Sequence, residues 1–189
     1  MQTTEGDRAE ALLVVRARAG DAEAFGTLVE RHMRRAYGAA LALVNRREDA
    51  LDLSQEAFAR AFRARRTLDP GRPFYAWLYQ ILRRLCFNFL RDRRTRARRL
   101  AAGAGWLAEE AAGRAAPPPD RAFERAEVQR RVAAAIQRLP AREREVIALK
   151  DFEGLTYREI GALVGIPTGT VMSRLYSARQ RLAAALEER

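Results

Sequence analysis

Apolar residues recur at helical spacing in nearly every patterned stretch of this chain. Asp21 can cap a helix in which they return every third or fourth position, beginning with Phe25 and Leu28. The same spacing predicts helices at about 48–65, from Pro73 onward, and at about 121–138, 141–149, 156–164 and 168–187. The sequence offers no convincing alternating strand pattern and no Asn-Gly hairpin signal. It therefore predicts an all-α fold.

A segment of small residues and prolines divides this pattern in two. Residues 100–120 contain glycines, alanines and a proline triplet at 117–119, and such a composition cannot hold a long regular element. We predict a flexible linker here, which separates an N-terminal domain at 1–99 from a C-terminal domain at 121–189. Two small helical domains of these lengths have the usual size of folding units.

The charge balance points to a polyanionic partner. Lys and Arg total 35 against 24 Asp and Glu, which is a formal net charge of +11. Much of the excess is local, because residues 83–99 contain eight arginines and one acid, Asp92. Nucleic acid is the simplest partner for this charge distribution.

The inventory of reactive side chains argues against an enzyme. One cysteine, Cys86, and one histidine, His32, are too few for a disulfide framework or a Cys/His zinc cluster. Without a glycine-rich phosphate loop or metal-ligand spacing, we predict no catalytic residue, no metal and no cofactor. Cys86 is expected to be a buried, inert thiol and His32 a surface or boundary residue. No apolar stretch is long enough for a membrane span and no secretory signal is visible, which predicts a soluble protein of the cytoplasm.

The strongest local signal lies between residues 156 and 175. Thr156 and Glu159 have the spacing of a capping box. Gly165 can end the first helix in the left-handed conformation, and Thr168 can cap the next. Two helices joined by such a turn predict a helix-turn-helix.

The second helix of this motif carries the candidate DNA contacts. Val171, Leu175 and Ala178 have the spacing of an inward face, so the other side chains can meet a major groove and its flanking phosphates. The positions predicted to face base edges are Thr170, Met172, Ser173, Tyr176 and Ser177. The arginines placed to meet phosphates are Arg174, Arg179 and Arg181.

The helix near residue 52 carries an acidic stripe that does not suit DNA. Asp49, Asp52, Gln55 and Glu56 all fall on its side away from the core. On a protein of positive net charge, this stripe suits a protein partner with basic helices. A solvated helix face is the alternative interpretation.

The helix predicted from residue 73 combines aromatic and basic residues on a second face. Tyr75, Tyr79 and Arg83 follow one another at intervals of four, and Phe87 and Arg91 continue the series. Other apolar residues of the helix already supply a core face. We therefore predict a platform for single-stranded DNA, on which bases stack against the rings while guanidinium groups hold the backbone. Packing in the core is the alternative for such a stripe.

These motifs resemble those of bacterial sigma factors of the extracytoplasmic-function (ECF) type, over about residues 20–185. Residues 52–58, DLSQEAF, resemble the clamp-binding motif of that family, and residues 74–81, FYAWLYQI, resemble the segment that opens and reads the −10 promoter element. Leu139-Pro140 followed by residues 144–146 is similar to the opening of the family's C-terminal domain. Residues 171–179, VMSRLYSAR, resemble its −35 reading helix.

The resemblance implies a dissociable sigma subunit of RNA polymerase. Its first domain would dock on the β′ clamp of the core enzyme and melt promoter DNA, and its second would bind the β flap and the −35 element. The core-polymerase contact would fall on Asp49, Asp52, Gln55 and Glu56. The −10 contacts would fall on the loop at about 66–74 and on Tyr75, Tyr79, Arg83, Arg84, Asn88 and Arg91. The −35 contacts would fall on Thr168, Thr170, Met172, Ser173, Arg174, Tyr176, Ser177 and Arg179.

Two positions depart from the family pattern. Residue 84 is often Asn there and is Arg here, and residue 172 is commonly basic and is Met here, so no promoter sequence is predicted. The usual regulator in the family is an anti-sigma protein that masks these surfaces, and one is expected here. The alternative function is a stand-alone helix-turn-helix regulator. Such a regulator should bind a palindromic duplex unaided, whereas a sigma factor should need core polymerase.

Overall fold

The described part of the chain consists of helices and their connections. The computed structural model describes residues 5–103 and 121–187. Its α-helices are α1 Glu5–Ala19, α2 Ala22–Val44, α3 Arg47–Arg63, α4 Phe74–Gly103, α5 Arg121–Arg138, α6 Ala141–Ile147, α7 Tyr157–Val164 and α8 Thr168–Glu187. A 3-10 turn at Arg65–Thr67 follows α3, and a π-helical turn at Ala148–Phe152 continues α6. These residues contain no strand, so the all-α prediction is confirmed.

Most helix boundaries follow the local sequence signals. Asp21 caps α2, where its carboxylate accepts the Ala24 N–H at 3.0 Å, and this bond is the first cause of the lowered pKa of Asp21. The sequence patterns do not predict α1. Its buried residues Val14 and Ala17 lie in a short, arginine-containing stretch, where helical periodicity is weak.

The fourth helix reaches into the segment predicted to be a linker. Because α4 continues to Gly103, the predicted linker boundary at residue 100 is corrected to a position beyond that glycine. The preceding arginines and the run from Leu100 to Ala102 are good helix formers, which explains the extension. The rest of the predicted linker, residues 104–120, lies outside the described residues, and the division into two domains stays a prediction.

Helices α1–α4, the N-terminal group, pack around one apolar centre. Phe25 and Leu28 of α2, Phe58 of α3 and Phe74 and Leu78 of α4 each expose 5% or less of their surface. The rings of Phe25 and Phe74 meet edge-on, with centroids 6.1 Å apart. This packing holds α4, which carries the predicted −10 residues, against α2 and α3.

Helices α5–α8, the C-terminal group, contact the N-terminal group directly. α6 packs on α2, and α7 packs on α4. The guanidinium of Arg144 in α6 donates to the Leu43 carbonyl of α2 at 2.7 Å and to the Gln137 carbonyl at 2.8 Å. Burial lowers the pKa of Arg144, and the two carbonyls compensate part of the cost of placing this cation in the interior.

Cys86 should be unreactive in the folded protein. It is fully buried in α4, and burial raises the pKa of its thiol to about 12. Because only the thiolate attacks an alkylating reagent, we expect slow modification by iodoacetamide at about pH 8 in native buffer and rapid modification in urea. Mass spectrometry of the two samples measures both rates. Equal rates would contradict the burial of Cys86.

Candidate nucleic-acid and protein interfaces

α7 and α8 form the predicted helix-turn-helix. The Glu159 N–H donates to the Thr156 hydroxyl at 3.3 Å, and the Thr156 N–H donates to the Glu159 carboxylate at 2.7 Å, which completes the capping box. The Thr156 hydroxyl also donates to the Glu159 carboxylate at 2.7 Å, and this bond, followed by the one from the Thr156 N–H, lowers the pKa of Glu159. Gly165 ends α7 with φ at 76°, as expected for a left-handed cap. Thr168 is the first residue of α8 and therefore does not cap it, since the helical bonds begin at the Pro167 carbonyl.

The exposed face of α8 agrees with the predicted orientation of this helix. Val171, Leu175 and Ala178 are buried, whereas Met172 and Tyr176 are 54% and 68% exposed. Of the other predicted −35 residues, Thr168, Ser173 and Arg179 are exposed and Thr170, Arg174 and Ser177 are half-buried. The geometry therefore presents one continuous side of α8 that can enter a major groove.

Two arginines at the edge of this face are held by acids of the same group. Arg179 pairs with Asp151 and Arg181 pairs with Glu143, each at 3.2 Å. Both arginines remain at least half exposed. They can bind phosphates that flank the groove, and doing so would break only their weak ion pairs with these acids.

The acidic stripe of α3 lies at the surface. Asp52 and Gln55 are exposed, and Asp49 and Glu56 are half-buried. Glu56 accepts a hydrogen bond at 2.7 Å from an arginine one turn later, which is the first cause of its lowered pKa. Leu51, 46% exposed, lies next to Asp52 and adds an apolar side chain to this surface. A partner with basic side chains can therefore reach both charge and apolar area here.

A residue of α1 holds the start of α4. The Glu10 carboxylate accepts the Phe74 N–H at 3.1 Å and lies 3.0 Å from the His32 ring nitrogen. It supplies the side-chain cap that the preceding residue, Pro73, cannot provide. His32 is half-buried at this junction, in agreement with the predicted boundary position. Sequence patterns missed Glu10, because it lies 64 positions before Phe74 and carries no local signal.

Tyr75 and Tyr79 are buried, which corrects the expectation of a solvent-facing platform. They expose only 3% and 1% of their surface. The Tyr79 hydroxyl donates to Glu145 of α6 at 2.9 Å, and the Tyr75 hydroxyl donates to Glu153 at 3.3 Å. Burial, followed by the charges of these carboxylates, raises the pKa of both phenols, which therefore stay protonated donors. In this arrangement the two rings are inaccessible to a nucleic acid.

Two arginines complete the cluster around these tyrosines. Arg83 of α4 pairs with Glu145 at 2.6 Å, and Arg35 of α2 pairs with Glu153 at 2.7 Å. The Arg35 guanidinium also lies 3.7 Å from the ring centre of Tyr75. Sequence patterns missed Arg35 and both glutamates, because the pairs join positions 62 and 118 residues apart.

The remaining −10 residues of α4 are open to solvent. Arg84, Asn88 and Arg91 are exposed, and Arg83 is half-buried. Residues 91–100 are exposed throughout and continue the basic surface. Of the predicted loop contacts, Arg66, Arg72 and Pro73 are also exposed. A basic surface therefore persists on α4 even where its aromatic part is covered.

The described ranges contain neither clustered metal ligands nor a helix suited to spanning a membrane. Within residues 5–103 and 121–187, no group of three His, Cys, Asp or Glu side chains is placed to hold a metal ion. Over the same residues, no helix combines the length and apolarity that crossing a bilayer requires.

Two family descriptions match the regions that carry these surfaces. Sigma-70 region 2 matches residues 28–96, which include the acidic stripe and the N-terminal part of α4. Sigma-70 region 4 matches residues 129–182, which include the helix-turn-helix.

Relatives match along most of their length. The RNA polymerase sigma-H factor of Pseudomonas aeruginosa is 35% identical over 190 residues, which cover 99% of this chain and 97% of that protein. The ECF RNA polymerase sigma-E factor of Haemophilus influenzae is 32% identical over 177 residues, 90% of this chain and 91% of that protein.

Solved structures of related proteins have the same fold. CnrH, solved with the cytosolic domain of CnrY, superposes with a TM-score of 0.67 at 29% identity, over 95% of this chain and 97% of CnrH. The sigma factor RpoE of Bartonella quintana, solved with the anti-sigma factor NepR, superposes with a TM-score of 0.63 at 26% identity, over 87% of this chain and 98% of RpoE.

A helix-turn-helix together with basic surfaces, as the described helices present them, is typical of a DNA-binding protein of transcription. The matches along most of the chain define its family: it belongs to the ECF-type sigma factors of bacterial RNA polymerase. Its function is promoter-specific initiation of transcription with RNA polymerase, and sigma factors are typically not enzymes.

Proposed function

We propose that this chain is a dissociable sigma subunit that binds core RNA polymerase, directs it to specific −35 and −10 elements and helps to melt the −10 DNA. The observation that supports this best is the presence of an acidic surface on α3 beside basic surfaces on α4 and α8. DNA binding alone explains only the basic surfaces. A protein acting on core polymerase would work in the cytoplasm.

The core contact is assigned to the acidic stripe. Asp49, Asp52, Gln55 and Glu56 would meet the β′ clamp, and the C-terminal group would meet the β flap. Exposure of Asp52 and Gln55 supports this assignment, since an interface with basic helices needs accessible carboxylates and amides.

The −10 contact is assigned to α4 and the loop before it. Arg84, Asn88 and Arg91 are accessible in the present arrangement and would meet the strand first. Tyr75, Tyr79 and Arg83 would join them once the C-terminal group moves away. Stacking of bases on the two tyrosines would then hold the opened strand.

Tyr176→Ala should weaken −35 recognition without unfolding the protein. The Tyr176 ring is 68% exposed on the face of α8 assigned to the major groove. Loss of a direct base contact costs about 1–3 kcal/mol, so we expect promoter binding by the holoenzyme to weaken roughly 5- to 150-fold. Gln180→Ala, also exposed and one turn later, is the matched control. Equal promoter affinities of the two variants would show that Tyr176 does not contact the −35 element.

An anti-sigma protein is the proposed regulatory partner. Two similar solved proteins support this: CnrH was solved with CnrY, and RpoE of Bartonella quintana was solved with the anti-sigma factor NepR. Such a partner would compete with core polymerase for the same helical surfaces.

A run-off transcription assay with core polymerase and a promoter library tests the proposed function. Transcripts that depend on both this chain and the core enzyme are the expected result. A stand-alone regulator would instead bind a palindromic duplex unaided and give no such transcripts.

A further inference from the structure

Two carboxylates of the C-terminal group cover one face of the N-terminal group. We call this the covered face and define it by Arg35, Tyr75, Tyr79 and Arg83. Glu145 of α6 accepts hydrogen bonds from Tyr79 and Arg83, and Glu153 accepts them from Tyr75 and Arg35. Both glutamates therefore bind side chains that belong to α2 and α4.

The side chains of the covered face are of the types that bind nucleic acids. Arg83 holds Glu145 through Nε at 2.6 Å and Nη2 at 3.3 Å, the forked geometry that arginine also adopts with phosphate. The rings of Tyr75 and Tyr79 lie one helical turn apart, with centroids 5.9 Å from each other, and can stack on bases. Each carboxylate occupies a position suited to a phosphate of a bound strand.

The buried carboxylate–arginine pair itself opposes separation only weakly. The Glu145 side chain has no exposed surface, and its donors Tyr79 and Arg83 both lie on α4. Removing a carboxylate and a guanidinium from water costs about as much as their attraction returns, so separation releases both charges to water at a small net cost. A strand that supplies phosphates and bases to the same donors can replace the carboxylates.

We propose that Glu145 and Glu153 close the covered face by standing in for the phosphates of single-stranded DNA, and that Arg35 belongs to the strand-binding residues. The proposal rests on the proposed −10 function and deepens it, because it names the groups of this chain that compete with the strand. Closure and strand binding exclude each other. The free protein therefore holds its aromatic residues away from DNA until the two helical groups separate.

The test measures binding of a fluorescent oligothymidine of about ten nucleotides, because stacking platforms tolerate any base. The variants are the wild-type chain and the double variant Glu145→Gln, Glu153→Gln. We expect the double variant to bind about tenfold more tightly, since its amides hold the arginines less strongly than carboxylates do. Adding Arg35→Ala to the double variant should reverse much of this gain.

The matched control is the double variant Glu143→Gln, Asp151→Asn. It also removes two negative charges and releases two arginines, Arg181 and Arg179, but both pairs lie within the C-terminal group. A gain from general electrostatic attraction would appear in both double variants, whereas uncovering the face affects only the first.

Small-angle X-ray scattering of the wild-type chain provides a second measurement that does not depend on the variants. Saturating oligothymidine should increase the radius of gyration, because the helical groups separate. An unchanged radius, equal affinities of the two double variants, or no oligothymidine binding by either of them overturns the proposal. Run-off transcription with core polymerase and the wild-type chain is measured in parallel, and its failure overturns the proposed function instead.

Discussion

An Asp52→Arg variant is expected to lose most of its affinity for core RNA polymerase. Asp52 is exposed on the acidic stripe of α3, next to the exposed Leu51. Reversing its charge places like charges opposite each other at the proposed basic partner surface, which costs several kcal/mol. A loss of about 3 kcal/mol lowers the affinity roughly 100-fold. Because Asp52 is exposed, the melting temperature of the free protein should change little.

Glu30→Arg is the matched control for this experiment. Glu30 is exposed on α2 and lies outside the stripe, so its reversal makes the same change in net charge elsewhere. Glu56→Arg should also weaken binding, but it breaks the bond to Arg60 and complicates the result. Surface-immobilised core polymerase gives the three affinities directly. Normal affinity of the Asp52 variant would refute the assignment of the stripe.

A Gly161→Ala variant is expected to destabilise the helix-turn-helix strongly. A Cβ atom at Gly161 would lie 2.9 Å from the Ile166 carbonyl oxygen, a backbone atom that cannot rotate away. The N–H groups of Gly165 and Ile166 both donate to the Gly161 carbonyl. These two bonds hold the turn against Gly161, so the turn cannot move away from an added methyl group without breaking them. Forcing a methyl group into such a site costs about 1–3 kcal/mol or more.

Gly169→Ala provides the contrast for Gly161→Ala. Gly169 lies in α8, and a Cβ atom there meets nothing within 4 Å. Alanine in a helix is favoured over glycine by roughly 0.5–1 kcal/mol, so this variant should be as stable as the wild-type chain or more so. Urea unfolding of the three proteins measures the difference. If Gly161→Ala unfolds at the same urea concentration as Gly169→Ala, the Ile166 carbonyl does not lie as close to Gly161 as described.

The helix-turn-helix was predictable because its determinants are local. The reciprocal bonds of Thr156 and Glu159 span three residues, and the left-handed turn depends on Gly165 alone. Burial of Val171, Leu175 and Ala178 follows from helical spacing. The placement of Thr168 was wrong by one position: the Pro167 carbonyl accepts the first helical bonds, so Thr168 is the first residue of α8 and not the residue before it.

Helical spacing by itself determined that Tyr75, Tyr79 and Arg83 share one face of α4. It could not determine what lies against that face, because period and propensity describe a helix and not its neighbours. The tertiary structure decided this, by bringing Glu145 and Glu153 from more than sixty residues away to meet the tyrosines and arginines. It decided the cap of α4 in the same way, through Glu10 of α1. The sequence determined the helices and the chemistry of their faces, whereas the covering of one of those faces depends on contacts between distant residues that leave no periodic signal.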